Sequence, residues 1–188
     1  MCCDEELIYF IEMLMTLSKQ IKNKKHLYLI GIFFILALLL RQFIVINITP
    51  SMPKGVYFKK SSPLHRGDII LFCLDQKYQQ IGLEHHYLET GKYCNGASAL
   101  IKEVVAVPGD EVTLLKNAII VNRKRLEYQT QHQDSNHTPL SVFPRGNYTV
   151  NAFWVIGTHS QLSWDSRYFG YIPRQQIISK LIPLITWN

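Results

Sequence analysis

The chain has 188 residues, 47% of them hydrophobic, with a net charge of +6 and a pI near 9.1. That length holds one compact domain with its own core plus a short additional segment, and little more. The positive charge does not point to a nucleic acid. The basic residues are scattered, with no aromatic-interleaved basic stripe and no zinc or helix-turn-helix signature, so a basic domain beside an anionic membrane is the better account.

In chain order, residues 1–26 are expected to form a cytoplasmic segment. Leu7–Phe10 and Met13–Leu17 make a weak apolar patch behind Asp4, Glu5 and Glu6. It reads either as an interfacial helix or as residues upstream of a start at Met15. Lys19, Lys22, Lys24 and Lys25 then precede the apolar run of Leu27–Leu40, which Arg41 and Gln42 interrupt before Phe43–Ile46 resumes it. Residues 27–46 are just long enough for a transmembrane signal anchor if Arg41 snorkels to the interface. The alternative division is a helix to about Leu40, followed by an apolar strand or membrane-skimming segment from Phe43. No A-x-A-like cleavage site follows the run, so the anchor is expected to stay uncleaved. The basic cluster belongs in the cytoplasm by the positive-inside rule. Residues 47–188 then lie on the periplasmic or outer face of a bacterial inner membrane.

From Thr49 onward short apolar runs alternate with turn signals, which predicts a mainly β domain. The runs are Val56–Phe58, Ile69–Phe72, Lys102–Val107, Val112–Leu115, Ile119–Val121 and Phe153–Ile156. Pro53–Gly55, Arg66–Asp68, Pro108–Asp110 and Pro144–Gly146 mark the turns. Asp75–Glu89 alone has helix-like spacing, and the polar stretch 129–139 reads as an exposed loop. Cys2 and Cys3 would be cytoplasmic and reduced, Cys73 and Cys94 external, where disulfides persist. No C-x-x-C or H-E-x-x-H spacing occurs, so no metal and no cofactor are expected.

Three segments carry chemistry. Ser51 stands between Pro50 and Met52-Pro53, ahead of the turn glycine Gly55, in backbone that the prolines hold extended. Lys102 shares a strand face with the apolar Leu100, Val104 and Ala106, while Glu103 points the other way. Burying the ammonium charge is costly, so burial lowers the pKa, and a neutral amine can take a proton from a serine hydroxyl. The third segment, Leu162–Pro173, sets aromatic residues around an Asp165–Arg167 pair, whose i, i+2 spacing suits neighbours on one strand face. Each segment also has a purely structural reading: a turn, an edge lysine, a buried pair fixing a loop.

Together the segments resemble the signal peptidases of the serine–lysine type, with Ser51-Met-Pro53, Arg66–Ile70, Lys102–Asp110 and Asp165–Gly170 in the family's order. Ser51-Met-Pro-Lys-Gly-Val-Tyr57 is similar to the nucleophile block of the TraF-type conjugation peptidases, as are the small size and the Tyr93–Gly96 cysteine block with Cys73 upstream. The resemblance covers about residues 45–175. It departs at Glu103, where many relatives carry arginine, and at Asn95, where a proline is common.

The resemblance implies an antiparallel β catalytic domain with one N-terminal transmembrane helix. It implies Ser51 as nucleophile, Lys102 as general base, and Thr49 with the Ser51 N–H as oxyanion donors. Ser163 would orient the lysine, Asp165 and Arg167 would form a structural ion pair, and Cys73 would bond Cys94. The substrate would be an exported precursor, most plainly a pilin, met at the membrane in company with other conjugation-apparatus proteins. A general leader peptidase and a catalytically silent membrane-anchored adaptor of a secretion assembly are the alternatives. The intact Ser51, Lys102 and Ser163 speak against the adaptor.

Overall fold

The computed structural model describes residues 12–13, 15–16, 24–149 and 151–187, in two units, Met1–Phe43 and Ile44–Asn188. Cys2, Cys3, Lys19, Lys22 and most of the expected apolar patch lie outside the described residues.

In the first unit, Lys24–Arg41 forms helix α1. Its large apolar side chains are exposed all round, Leu27, Phe33 and Leu38 among them. The run Leu27–Leu40 rises about 21 Å at 1.5 Å per residue, short of a hydrocarbon core of ~30 Å. Charged residues bound it at both ends. No helix among the described residues is long and apolar enough to cross a membrane.

The second unit is built of antiparallel sheets. The apolar stretch 27–46 divides here, because its last residues are not helical: Ile44–Asn47 is strand β1, paired with β2 (Lys54–Lys60). A six-stranded sheet follows the order β1–β2–β12–β3–β6–β11, where β3 is Ile69–Phe72, β6 Leu100–Ala106, β11 Trp154–Ile156 and β12 Ile177–Trp187. A second sheet orders β10 (Gly146–Thr149), β7 (Glu111–Leu114), β8 (Ile119–Val121) and β9 (Lys124–Leu126). Thr90–Gly91 and Gly96–Ala97, strands β4 and β5, form a small hairpin.

The apolar periodicity explains the packing. In β6, Val104 and Ala106 are fully buried on one face, and Ile101 and Val105 are buried on the other. The strand therefore runs between two layers of core, flanked by β3 and β11. Val104 packs in the cluster of Ile70, Phe72, Val155 and Tyr168, while Val105 packs with Val112, Ile119 and Trp154.

Three expectations change in detail. The predicted helix is Gln76–Glu84 (α2), capped by the Asp75 carboxylate on Tyr78 N. It stops short of Glu89 because His86 takes a left-handed φ of 58°. Asp165 and Arg167 are not on a strand. Asp165 is the N-cap of the short helix α3 (Ser166–Phe169), so the side-chain pairing follows from capping geometry rather than strand alternation. The 129–139 loop is tied down along its length: Gln131 N donates to Tyr168 Oη at 3.0 Å, Tyr87 Oη donates to Asp134 at 2.7 Å, and Thr130 is buried.

Candidate active site

The β1–β2 hairpin closes at the pair Asn47–Gly55, and its connection carries Ser51. Lys102 sits on strand β6, between β3 and the edge strand β11, directly opposite Ile70 of β3. The fold brings Lys102 Nζ to 2.8 Å from Ser51 Oγ. Lys102 is only 3% exposed, and burial brings its pKa from 10.5 down to about 8, with the nearby Asp165 carboxylate working against that and Arg167 with it. An amine at that value is neutral in a useful fraction at mildly alkaline pH, and it is within hydrogen-bond reach of a hydroxyl. Chemically, the arrangement can draw a proton from Ser51 and leave an alkoxide-like nucleophile.

The serine turn is held from several sides. Asn47, 3% exposed, donates through Nδ2 to the carbonyls of Thr49, Met52 and Pro53 at 3.2, 3.2 and 2.9 Å. Its Oδ1 accepts from Thr49 N at 3.1 Å and from Thr49 Oγ1 at 2.7 Å. Tyr57 Oη donates to Pro53 O at 2.6 Å, and His159 N donates to Ser51 O at 3.1 Å. Gly55 is needed because a Cβ there would strike the carbonyl of Ile185 on β12.

Behind the turn, Asp165 and Arg167 are 0% and 1% exposed and joined in a two-pronged pair, Nε–Oδ1 and Nη2–Oδ2 both at 2.8 Å. The pair reaches outward to the site. Asp165 Oδ2 also accepts from Gly157 N at 3.0 Å, and Arg167 Nη2 donates to Ser163 O at 3.0 Å. A further Arg167 bond goes to Gln129 O, so the polar loop is anchored to the same guanidinium. A fork of this kind satisfies both buried charges, which is what makes their burial tolerable.

The structure thus brings Lys102 onto Ser51 and sets the Asp165–Arg167 pair, held by a helix cap rather than a strand, close enough to act on the lysine charge. Two residues stand differently. Ser163 is 3% exposed, yet its Oγ has no hydrogen-bond partner and does not reach the lysine amine within bonding distance. Thr49 is exposed, and its hydroxyl donates to Asn47 Oδ1. Glu103 is half-buried on the opposite strand face, where burial raises its pKa against the influence of His159. Cys73 and Cys94 form a disulfide with Cα atoms 5.5 Å apart.

Asn47 and Gly157 were missed by sequence reasoning. A signal for Asn47 was present, since an asparagine two residues before a threonine invites an Asx-type side-chain-to-backbone bond. Gly157 had none: its requirement comes from Ser163, six positions on, whose side chain occupies the space a Cβ would take.

Comparison with known proteins gives this geometry a family. Residues 23–187 match the family described as signal peptidase, peptidase S26. A plasmid transfer protein TraF of Escherichia coli is 31% identical over 146 residues, covering 76% of this chain and 82% of that protein. A signal peptidase I of Leptolyngbya laminosa is 30% identical over 125 residues, covering 64% of this chain and 52% of the relative. Among solved structures, a signal peptidase I from Enterococcus faecalis V583 aligns at 16% identity and a TM-score of 0.38, over 65% of this chain and 100% of that one. The chain belongs to the signal peptidase family, peptidase S26, and is a serine peptidase.

Proposed function

We propose that the chain is a membrane-anchored endopeptidase that uses a Ser51–Lys102 dyad to cleave exported precursors, and that it matures pilin subunits of a conjugative transfer system. The observation that carries the reading is the buried Lys102 amine 2.8 Å from Ser51 Oγ, in a site that depresses its pKa. Ser51 attacks the scissile carbonyl while Lys102 accepts its proton. Collapse of the tetrahedral intermediate expels the amine, which takes the proton back from Lys102. Water then attacks the acyl-enzyme with Lys102 again as base. Asp165 and Arg167 hold the backbone on both sides, at Gly157 and Ser163, and so keep the dyad in register.

In this reading residues 1–26 serve as the cytoplasmic segment, the apolar residues from Leu27 to about Phe43 as the anchor region, and the residues from strand β1 onward as the external peptidase domain. The all-round apolar surface of α1 supports membrane insertion, since a helix without a polar face is not suited to water. Similarity to plasmid transfer proteins supports a role in plasmid transfer, for which a pilin precursor is the proposed substrate. Similarity to a signal peptidase I keeps bulk precursor cleavage as the second reading.

The test is processing of co-expressed precursors in membranes. Wild-type protein is expected to shorten a conjugative pilin precursor, and Ser51→Ala to leave it full length. Cleavage of general secretory precursors with the pilin untouched would favour the leader-peptidase reading instead.

A further inference from the structure

We propose that Asn47 is the positioning residue of the nucleophile turn, and that it parks the Thr49 hydroxyl in a resting position from which the reaction releases it. This rests on the Ser51–Lys102 reading. One buried amide makes contacts that span the whole turn: its NH2 group ties three carbonyls, those of Thr49, Met52 and Pro53, which flank Ser51 on both sides. Such a turn has no ladder bonds of its own, because β1–β2 pairing ends at Asn47–Gly55. A buried primary amide with all its donors and acceptors used is a rigid fixture, and its loss would leave backbone carbonyls unpaired.

The Thr49 contact has a second consequence. A hydroxyl carries one proton, and here that proton is given to Asn47 Oδ1 at 2.7 Å. Thr49 cannot donate to an oxyanion at the same time. Rotation about its Cα–Cβ bond would redirect the proton as negative charge develops on the substrate oxygen. Asn47 Oδ1 keeps the Thr49 N–H at 3.1 Å, so the amide oxygen is not orphaned by the exchange. The switch exchanges the Thr49 hydroxyl bond to Asn47 Oδ1 for one to the charged oxygen, which is the stronger bond, so the count is unchanged. Binding of the uncharged substrate is left unassisted, so the contribution appears in the transition state alone.

The experiment is a double-mutant cycle on precursor processing with Asn47→Ala, Thr49→Val and the double variant, each followed by kcat, KM, pH profile and thermal unfolding. Asn47→Ala is expected to lower kcat about 10²-fold, the scale of a misplacement near 1 Å, with KM held within about twofold. Its alkaline-rising limb should stay near the wild-type position, because the charged groups that act on Lys102 are Asp165 and Arg167, and Asn47 carries no charge. Thr49→Val should lower kcat by about 10²-fold, Thr49→Ser should restore most of it, and the double variant should lose much less than the product of the single losses. Asn47→Asp, nearly isosteric, covers the case in which the alanine variant does not fold; it removes the NH2 group that the three carbonyls share and should also lose kcat. Wild-type kcat in a folded Asn47 variant would overturn the proposal, as would single losses that multiply in the double variant. Ser51→Ala run in parallel separates the levels. If it still processes precursor, the dyad itself is wrong; if it is inert while Asn47 variants are fully active, only the role of Asn47 falls.

Discussion

Gly157 shows how little room surrounds Ser51. A Cβ at this position would overlap Ser163 Oγ and lie 3.0 Å from Ser51 O, with the Gly157 N–H already fixed on Asp165. Gly157→Ala is therefore expected to push the Ser163 backbone or the Ser51 turn aside. It should destabilise by about 1–3 kcal/mol, as overpacking does, and reduce processing at least tenfold. Thermal unfolding and precursor cleavage measure both, and an alanine variant with wild-type values would mean the segment yields freely. Ser51 and Lys102 stand out in the sequence as a serine between prolines and a lysine on an apolar strand face, but each pattern alone also allows a structural reading, and it was the order of the four blocks that paired them. The Thr49 hydroxyl and the Ser163 side chain were legible only as residue types. Where each proton points depends on Asn47 and Gly157, which are set by contacts across the turn rather than by the residue's own neighbours.

Among the elements, the β-strands were the most readable, because alternation and turn glycines determine them locally. Ile69–Phe72 and Ile119–Val121 fall where the apolar runs are. The Asp165–Arg167 pair was read as a strand feature because i, i+2 spacing has two geometric solutions; the cap of a four-residue helix is the one realised. The 129–139 loop looked free because polarity says nothing about tethering, and its anchors, Tyr87, Arg167 and Tyr168, lie far away in sequence. The excursion between Cys73 and Cys94, which carries α2, is closed by the disulfide across a separation of 21 residues. Removing that link by Cys73→Ser with Cys94→Ser should cost about 3 kcal/mol on the chain-entropy estimate. Denaturant unfolding of the oxidised and serine forms measures the difference, and equal stabilities would show that the crosslink constrains little in the unfolded chain.

At the scale of the whole molecule, the sequence divided the chain by composition and the structure divides it nearby, between Phe43 and Ile44. The sequence left two divisions open, an anchor to Ile46 or a strand from Phe43, because β1 needs apolar residues as much as a membrane segment does and hydropathy alone does not separate the two uses. The proposed anchoring, with the basic residues ahead of the apolar run on the cytoplasmic side, puts the peptidase domain outside the cytoplasm. A reporter enzyme fused after Asn188 should be active only outside the cytoplasm. Activity confined to the cytoplasm would reverse the orientation and remove the exported substrate from reach.

Lys102 as a general base is the central claim, and its pH dependence tests it most directly. The folded-state pKa of about 8 lies below the ordinary 10.5, so the folded protein releases this proton first. Between those values the unfolded chain binds more protons, and Lys102 contributes stability that rises with pH; below about 8 its burial as a cation costs about 3 kcal/mol. The same titration should govern catalysis. Single-turnover acylation of Ser51 by a precursor peptide is predicted to rise tenfold per pH unit up to about 8 and then level off, and to vanish in a folded Lys102→Met variant. A flat profile across that range, or acylation at the wild-type rate in Lys102→Met, would contradict the account.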